Sequence, residues 1–160
     1  MTGRFIVFEG GEGSGKSTQA AILADRLDAV LTRQPGGTDI GAALRAILLD
    51  TGTVALAPRA EALLMAADRA QHAAELIRPA LASGRHVVCD RYTYSSVAYQ
   101  GHGRGLDPQR VRDISAWATE ELWPDLVVLL DVDPAVIEAL LGEQYKGKEK
   151  LIASNVQALN

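Results

Sequence analysis

A glycine-rich segment near the N-terminus carries the strongest chemical signal of this chain. Residues 10–18 read Gly-Gly-Glu-Gly-Ser-Gly-Lys-Ser-Thr and fit the phosphate-binding pattern G-x-x-x-x-G-K-[ST]. Its glycines let the backbone curl, so that successive N–H groups face a polyphosphate. In this pattern Lys16 contacts the β- and γ-phosphates, and the Ser17 hydroxyl suits Mg²⁺. We therefore predict a nucleoside-triphosphate site formed by Gly10, Gly11, Glu12, Gly13, Ser14, Gly15, Lys16, Ser17 and Thr18.

The elements around this loop fit the same interpretation. An apolar run at residues 4–8 is typical of a buried parallel strand, and the helix predicted at 15–28 directs its positive N-terminal end at the phosphates. Further strands are predicted at 29–32, 86–89 and 126–131, and further helices at 39–50, 59–83, 93–100, 107–122 and 134–141. This alternation predicts an α/β fold of the P-loop NTPase class, a doubly wound parallel sheet with helices on both faces.

Composition narrows the class of protein. The chain has 160 residues, enough for one domain, and 48% of them are hydrophobic. A net charge of −4 gives no reason to expect nucleic acid as a partner. One cysteine, Cys89, allows no internal disulfide, and no apolar run approaches a membrane span. Because the N-terminus leads directly into the first strand, we expect no signal peptide and a cytoplasmic location.

The last residues differ in composition from the rest of the chain. Three of the four lysines are Lys146, Lys148 and Lys150, whereas the chain up to about residue 142 is rich in Arg, Ala and Leu. We therefore divide the chain into a P-loop kinase domain at 1–142 and an atypical tail at 143–160. A foreign end and a natural polar loop followed by a short element both fit this tail.

Acidic and basic residues at a later strand end suggest a second part of the site. Asp90 and Arg91 follow the predicted strand 86–89, and a carboxylate at that end of a parallel strand faces the ligand crevice. Asp90 can reach Mg²⁺ or its waters, and Arg91 can hold a phosphoryl oxygen. The alternative is an ion pair at the strand end. Arg45 and Arg69 lie on predicted helices, and for Arg69 the spacing alone favours a solvated arginine paired with a neighbouring acid.

Several segments in order resemble bacterial thymidylate kinases. The resemblance extends over about residues 3–137, and its motifs together are more specific than the phosphate loop alone. The matching segments are 8–18, 32–38 (Thr-Arg-Gln-Pro-Gly-Gly-Thr), 68–72 (Asp-Arg-Ala-Gln-His), 90–92 (Asp-Arg-Tyr), 95–101 (Ser-Ser-Val-Ala-Tyr-Gln-Gly), 103–105 (Gly-Arg-Gly) and 124–132.

The resemblance implies a nucleoside monophosphate kinase-like fold and transfer of the γ-phosphoryl group from ATP to dTMP. By that resemblance the catalytic residues are Lys16, Arg91 and Glu12, and Ser17 and Asp90 serve Mg²⁺. Glu12 would lie near the sugar hydroxyl of the acceptor. Arg45, Arg69 and Arg91 would hold the dTMP phosphate, Ser96 and Gln100 the thymine, and Tyr99 would crowd a ribose 2′-hydroxyl. Met65 would pack on the base.

The chain departs from the family pattern at three places. Met65 stands where a phenylalanine is common, and Gln34 replaces the acid of Arg-Glu-Pro-Gly-Gly. The resemblance stops near residue 137, before the arginine-bearing lid and the fifth strand of the family. We therefore expect weak or undetectable turnover from a chain that lacks them, since losing such a cation lowers rates by about 10³–10⁵ in related chemistry.

Other functions remain open on the sequence. A kinase of another nucleotide or nucleoside and a non-catalytic nucleotide-binding fragment are the alternatives. A GTPase is disfavoured because no Asn-Lys-x-Asp segment occurs. The resemblance further implies a strand order of 2-3-1-4 and a homodimer.

Overall fold

Four parallel strands form the central sheet. The computed structural model describes residues 3–49 and 56–141. Its strands are β1 (Phe5–Gly10), β2 (Val30–Arg33), β3 (Val87–Asp90) and β4 (Leu126–Leu130). They are ordered β2-β3-β1-β4, and every pairing is parallel. The predicted α/β class and strand order are confirmed. The first strand is longer than expected, because its pairing with β4 continues to Gly10.

Helices connect and flank these strands. Their bounds are α1 (Lys16–Leu27), α2 (Asp39–Leu49), α3 (Pro58–His72), α4 (Arg78–Ala82), α5 (Thr93–Ser96), α6 (Pro108–Ala118) and α7 (Pro134–Leu141). Two π-helical segments, Ala73–Ile77 and Val97–Gly103, join α3 to α4 and extend α5. The segment Ala73–Ile77 is a wider, π-helical turn inside the helix predicted at 59–83. It lies just before Pro79, whose ring lacks an N–H and crowds the preceding turn. Over the described ranges, each helix is too short or too polar to span a bilayer.

Alternate side chains of β1 enter two hydrophobic clusters. Phe5 and Val7 pack on one face of the sheet, where the ring of Tyr92 meets Phe5 edge-on at 5.0 Å. Ile6 and Phe8 pack on the other face, against α1. Successive side chains of a strand point to opposite faces, so this one strand supports helices on both. Burying each such side chain contributes about 1.5–3 kcal/mol.

The carboxyl ends of β1, β2 and β3 meet at one edge of the sheet. The N–H of Gln34, after β2, donates to the carbonyl of Asp90 at 3.0 Å. The N–H of Arg91, after β3, donates to the carbonyl of Phe8 at 2.9 Å. Parallel pairing thus places three loops side by side, which is the arrangement expected for a ligand crevice in an open α/β sheet.

The helix predicted at 107–122 ends earlier than expected, at Ala118. Thr119 terminates it, and Glu120 and Glu121 adopt left-handed backbone angles with φ of 49° and 57°. The guanidinium of Arg78 donates to the carbonyls of Thr119 and Glu120 at 2.7 and 2.8 Å. A partner distant in sequence therefore stabilises a helix end that the local residues do not signal. The tail predicted at 143–160 and the end of the helix predicted at 39–50 lie outside the described residues.

Candidate active site

The phosphate loop folds as its glycines require. Gly10, Gly13 and Gly15 have φ of 145°, 76° and 87°, which residues with a Cβ rarely adopt. A Cβ on Gly10 would also lie 2.6 Å from the carbonyl oxygen of Leu130. α1 begins directly after this loop, with no side-chain cap and no acidic residue in its first turn. Its N-terminal N–H groups and positive dipole end therefore remain available to an anion.

Lys16 lies across the phosphate loop. The residue is 5% exposed, and its ammonium donates to the Gly11 carbonyl and, at 3.3 Å, to the Ser14 hydroxyl. Burial, assisted by the charge of Arg91, lowers the pKa of Lys16 to about 8, while nearby carboxylates act in the opposite direction. The amine thus stays mostly protonated near neutral pH and can neutralise a phosphate.

A hydroxyl and a carboxylate meet beside the loop. The Ser17 hydroxyl donates to Oδ2 of Asp90, which joins the start of α1 to the end of β3. The other carboxylate oxygen, Oδ1, is buried without a hydrogen-bond partner among the described residues. A hard divalent cation takes oxygen ligands of this kind. Across the described ranges, no group of three or more His, Cys, Asp or Glu side chains could hold a metal. A cation here would therefore need phosphate or water ligands as well.

A cavity of about 370 Å³ opens next to the phosphate loop. Every residue that the sequence predicts to bind dTMP lines this cavity, although those residues come from five separate stretches of the chain. The walls are formed by Glu12, Gln34, Pro35, Arg45, Leu48, Leu49, Glu61, Met65, Arg69, Arg91, Tyr92, Ser95, Ser96, Tyr99, Gln100, Gly103 and Arg104. The structure thus brings the predicted residues together around one space, while their individual roles stay predictions.

Arg91 occupies the junction between the loop and the cavity. Its Nη1 donates to the Gly10 carbonyl at 3.2 Å and to the Ser95 hydroxyl at 3.1 Å. Its guanidinium also lies 5.3 Å from the ring centroid of Tyr99, within cation–π range. Arg45 also lines the cavity, and its Nη1 donates to the Pro35 carbonyl at 2.8 Å. Burial, followed by repulsion from Arg33, lowers the pKa of Arg45, and the charge of Arg91 acts in the same direction. Two cations that affect each other therefore line the cavity.

Arg69 is deeper than the sequence suggests. It is 1% exposed, and its guanidinium donates to Gln34 Oε1 at 2.9 Å, to Ser96 at 2.6 Å and to Ser115 at 2.8 Å. All three acceptors are neutral, and burial lowers the pKa of Arg69. Arg69 and Ser96 thus contact each other, whereas the sequence-based assignment gave Arg69 to the phosphate and Ser96 to the base; both roles stay predictions. The solvated alternative for Arg69 is wrong, because the side chain is buried.

The helical wall carries an acid that the sequence analysis missed. Glu61 accepts from Gln100 Nε2 at 2.8 Å and from Arg104 at 2.9 and 3.0 Å. This leaves Oε1 of Gln100 buried without a partner in the described part of the chain. An unpaired carbonyl beside a cavity is a site for an N–H donor of a ligand. Glu61 could not be found from the sequence, since it stands as an ordinary polar residue in the first turn of α3.

Glu9 and Ser95 are two further residues of this region that the sequence did not single out. Glu9 is the last residue of β1 but one, next to the phosphate loop, and it is 2% exposed. Burial raises its pKa, although hydrogen bonds from Ser95 and Tyr92 and the charge of Arg91 oppose the shift. Its place at the carboxyl end of a parallel strand was the available signal.

The comparisons with known proteins agree on one family. A family model described as "Thymidylate kinase" matches residues 8–157. A thymidylate kinase of Bifidobacterium longum (strain DJO10A) is 55% identical over 144 residues, covering 85% of this chain and 70% of the relative. One from Solidesulfovibrio magneticus is 58% identical over 137 residues, covering 82% and 66%. One from Leifsonia xyli is 54% identical over 157 residues, covering 94% and 74%.

A solved structure gives the same result. The crystal structure of thymidylate kinase from Ehrlichia chaffeensis superposes with a TM-score of 0.80 at 30% identity. The match covers 98% of this chain and 81% of that one. The chain thus shares both sequence and fold with these proteins, while it spans about two thirds of the length of several curated relatives.

Proposed function

Since the chain belongs to the thymidylate kinase family, we propose that it transfers the γ-phosphoryl group of ATP to dTMP, giving ADP and dTDP. The observation that carries this proposal is the position of Arg91. One guanidinium contacts the phosphate loop at Gly10 and also lines the acceptor cavity. A group that touches both sites can hold the donor and acceptor phosphates in reach of each other. We also keep the cytoplasm as the proposed location, because a buried unpaired Cys89 fits a reducing compartment.

The donor side is assigned to the phosphate loop. Lys16 and the N–H groups at the start of α1 would bind the β- and γ-phosphates of ATP. Ser17 and Asp90 would hold Mg²⁺, and the unpartnered Oδ1 of Asp90 supports that fit. When bound, the ion neutralises negative charge on the phosphates. The chain's own residues then need only to fix the donor in place.

The phosphate of the acceptor is assigned to Arg45 and Arg91. Both line the cavity, Arg91 also contacts the phosphate loop, and two arginines give the forked hydrogen bonds that a phosphate accepts best. Glu12 lines the same cavity and is assigned to the sugar hydroxyl of dTMP. The acceptor phosphate oxygen would attack the γ-phosphorus, forming the new P–O bond while the bond to the β–γ bridging oxygen breaks. Positioning and charge neutralisation are what this reaction requires of a protein.

The base is assigned to the deep end of the cavity. Arg69 is assigned to the base rather than to the phosphate, because its guanidinium contacts Ser96, which is itself assigned to the base. An arginine with only neutral partners can still donate to a pyrimidine carbonyl, and the free Oε1 of Gln100 can accept from a base N–H. Met65 would pack on the face of the ring, and Tyr99 would stand against the sugar.

Coupled ADP release in the presence of Mg²⁺ tests the activity. We expect turnover with dTMP, a lower kcat/KM with dUMP, and less with other nucleoside monophosphates. A different preferred monophosphate or nucleoside would replace the proposed substrate. Binding of dTMP without any turnover would support the nucleotide-binding fragment instead.

A pair of variants tests the assignment of the arginines. Calorimetric titration with dTMP and with thymidine separates the phosphate from the rest of the ligand. We expect Arg45→Ala to weaken only dTMP binding and Arg69→Ala to weaken both ligands alike. Arg26→Ala, on the exposed side of α1, should change neither. Selective loss of dTMP binding in Arg69→Ala would return that residue to the phosphate.

We also propose a homodimer formed through α2, α3 and α6. These helices pack in a layer, and its outward side carries large apolar residues: Ile40, Ile47, Leu63 and Trp117 are 54%, 51%, 57% and 82% exposed. Several large apolar side chains exposed on neighbouring helices favour an interface. Sedimentation should give a dimer mass that Trp117→Glu shifts toward the monomer. A monomer mass at every concentration would contradict the proposal.

A further inference from the structure

A buried carboxylate lies beneath the turn that carries Arg91. Glu9 accepts the N–H of Tyr92 at 2.9 Å and the N–H of Ser95 at 3.3 Å on Oε1. Its Oε2 accepts the hydroxyl of Ser95 at 2.6 Å. Glu9 does not line the acceptor cavity, so these contacts act on the turn rather than on a ligand.

The backbone of this turn needs external support. Arg91 has a φ of 71°, in the left-handed region that residues with a Cβ rarely adopt. Its N–H is fixed by the Phe8 carbonyl at 2.9 Å. The carboxylate of Glu9 fixes the residues that follow, at Tyr92 and Ser95. The strained residue is thus held on both sides by neighbours in β1.

The carboxylate of Glu9 also determines how the Ser95 hydroxyl is oriented toward the guanidinium of Arg91. The Ser95 hydroxyl has one proton, which it gives to Glu9. The oxygen therefore turns its lone pairs toward Arg91, whose Nη1 donates to it at 3.1 Å. A neutral group at residue 9 could itself donate to the hydroxyl and release it from this orientation.

We propose that Glu9 is a positioning residue, which acts through Ser95 to hold the Arg91 guanidinium where the acceptor phosphate binds. This inference rests on the proposed function, because it assigns Arg91 to that phosphate. Glu9 touches no ligand in this scheme. Its effect should be confined to the part of the binding free energy that the phosphate provides.

Calorimetric titration with dTMP and with thymidine measures that part as a ratio, the dissociation constant for thymidine divided by the one for dTMP. In Glu9→Gln we expect the ratio to fall about tenfold, with thymidine binding changed by less than about twofold. Ser95→Ala removes the hydroxyl between Glu9 and Arg91 and should lower the ratio in the same way. An unchanged ratio in Ser95→Ala would overturn the proposal even if Glu9→Gln does not fold. Glu75→Gln, the same chemical change at an exposed glutamate, should leave the ratio unchanged.

A double-mutant cycle tests whether Glu9 acts through Arg91. In an Arg91→Ala background, Glu9→Gln should have no further effect on the ratio, since the group it positions is gone. Equal weakening of dTMP and thymidine would show a merely structural role and overturn the proposal. So would a full additional effect in the Arg91→Ala background. A wild-type chain that binds dTMP no better than thymidine would instead refute the proposed function and the inference with it.

Discussion

Acidification should destabilise this protein through His72. The imidazole is fully buried beneath the loop that follows β2, and its Nε2 lies 2.7 Å from the Thr32 hydroxyl. Its Nδ1 is buried with no partner within the described residues. Burial, and then the positive charge of Arg69, lowers the pKa of His72 from 6.5 to about 4. The folded protein therefore keeps this ring neutral.

The sign and size of the effect follow from linkage. The unfolded chain takes up a proton near pH 6.5, whereas the folded chain takes it up only near pH 4. The contribution of the neutral His72 to the free energy of unfolding is complete above the pKa of the unfolded chain. It is lost as the pH falls toward the pKa of the folded chain. One pKa unit corresponds to about 1.4 kcal/mol, so the full loss is about 3 kcal/mol. About 2 kcal/mol of it falls between roughly pH 7.5 and pH 5.

Urea unfolding of the wild type and of His72→Gln at those two pH values measures this contribution. Glutamine can keep a hydrogen bond to Thr32 but does not titrate, so other groups cancel in the difference between the two proteins. We expect the variant to lose about 2 kcal/mol less than the wild type on acidification. His102→Gln, at an exposed histidine, is the matched control. Parallel losses in the wild type and His72→Gln would refute the reasoning.

Three further changes test other parts of the structure. Gly37→Ala should cost about 1–3 kcal/mol in urea unfolding, because its Cβ would lie 2.4 Å from Nε2 of His72. Tyr99→Ala should reduce the preference for dTMP over the corresponding ribonucleotide about tenfold in kcat/KM, since the ring no longer crowds the 2′-hydroxyl. Asp125→Ala should cost about 1–3 kcal/mol in thermal unfolding, because the buried N–H of Phe5 loses its acceptor at 2.8 Å.

Local pattern was sufficient for the α/β class, and the resemblance added the strand order. Apolar runs and helical stretches predicted a parallel sheet, and its order is confirmed. The boundaries that failed depend on distant partners: Arg78 ends α6 at a point where residues 107–122 continue to favour a helix. Pro79 was visible in the sequence, but the π-helical turns before it were not predicted.

The residue types of the site were available in the sequence, because the fixed spacing of the phosphate loop and the resemblance to a family single them out. The sequence by itself determined that a polyphosphate loop is followed by a set of arginines and polar side chains. Only the tertiary structure decided that these residues line one cavity and which of them contact each other. Arg69 takes its partners from Gln34, Ser96 and Ser115, and Ser95 links Glu9 to Arg91 by hydrogen bonds. Contacts between residues so far apart in the chain depend on how the elements pack, and no local spacing records them.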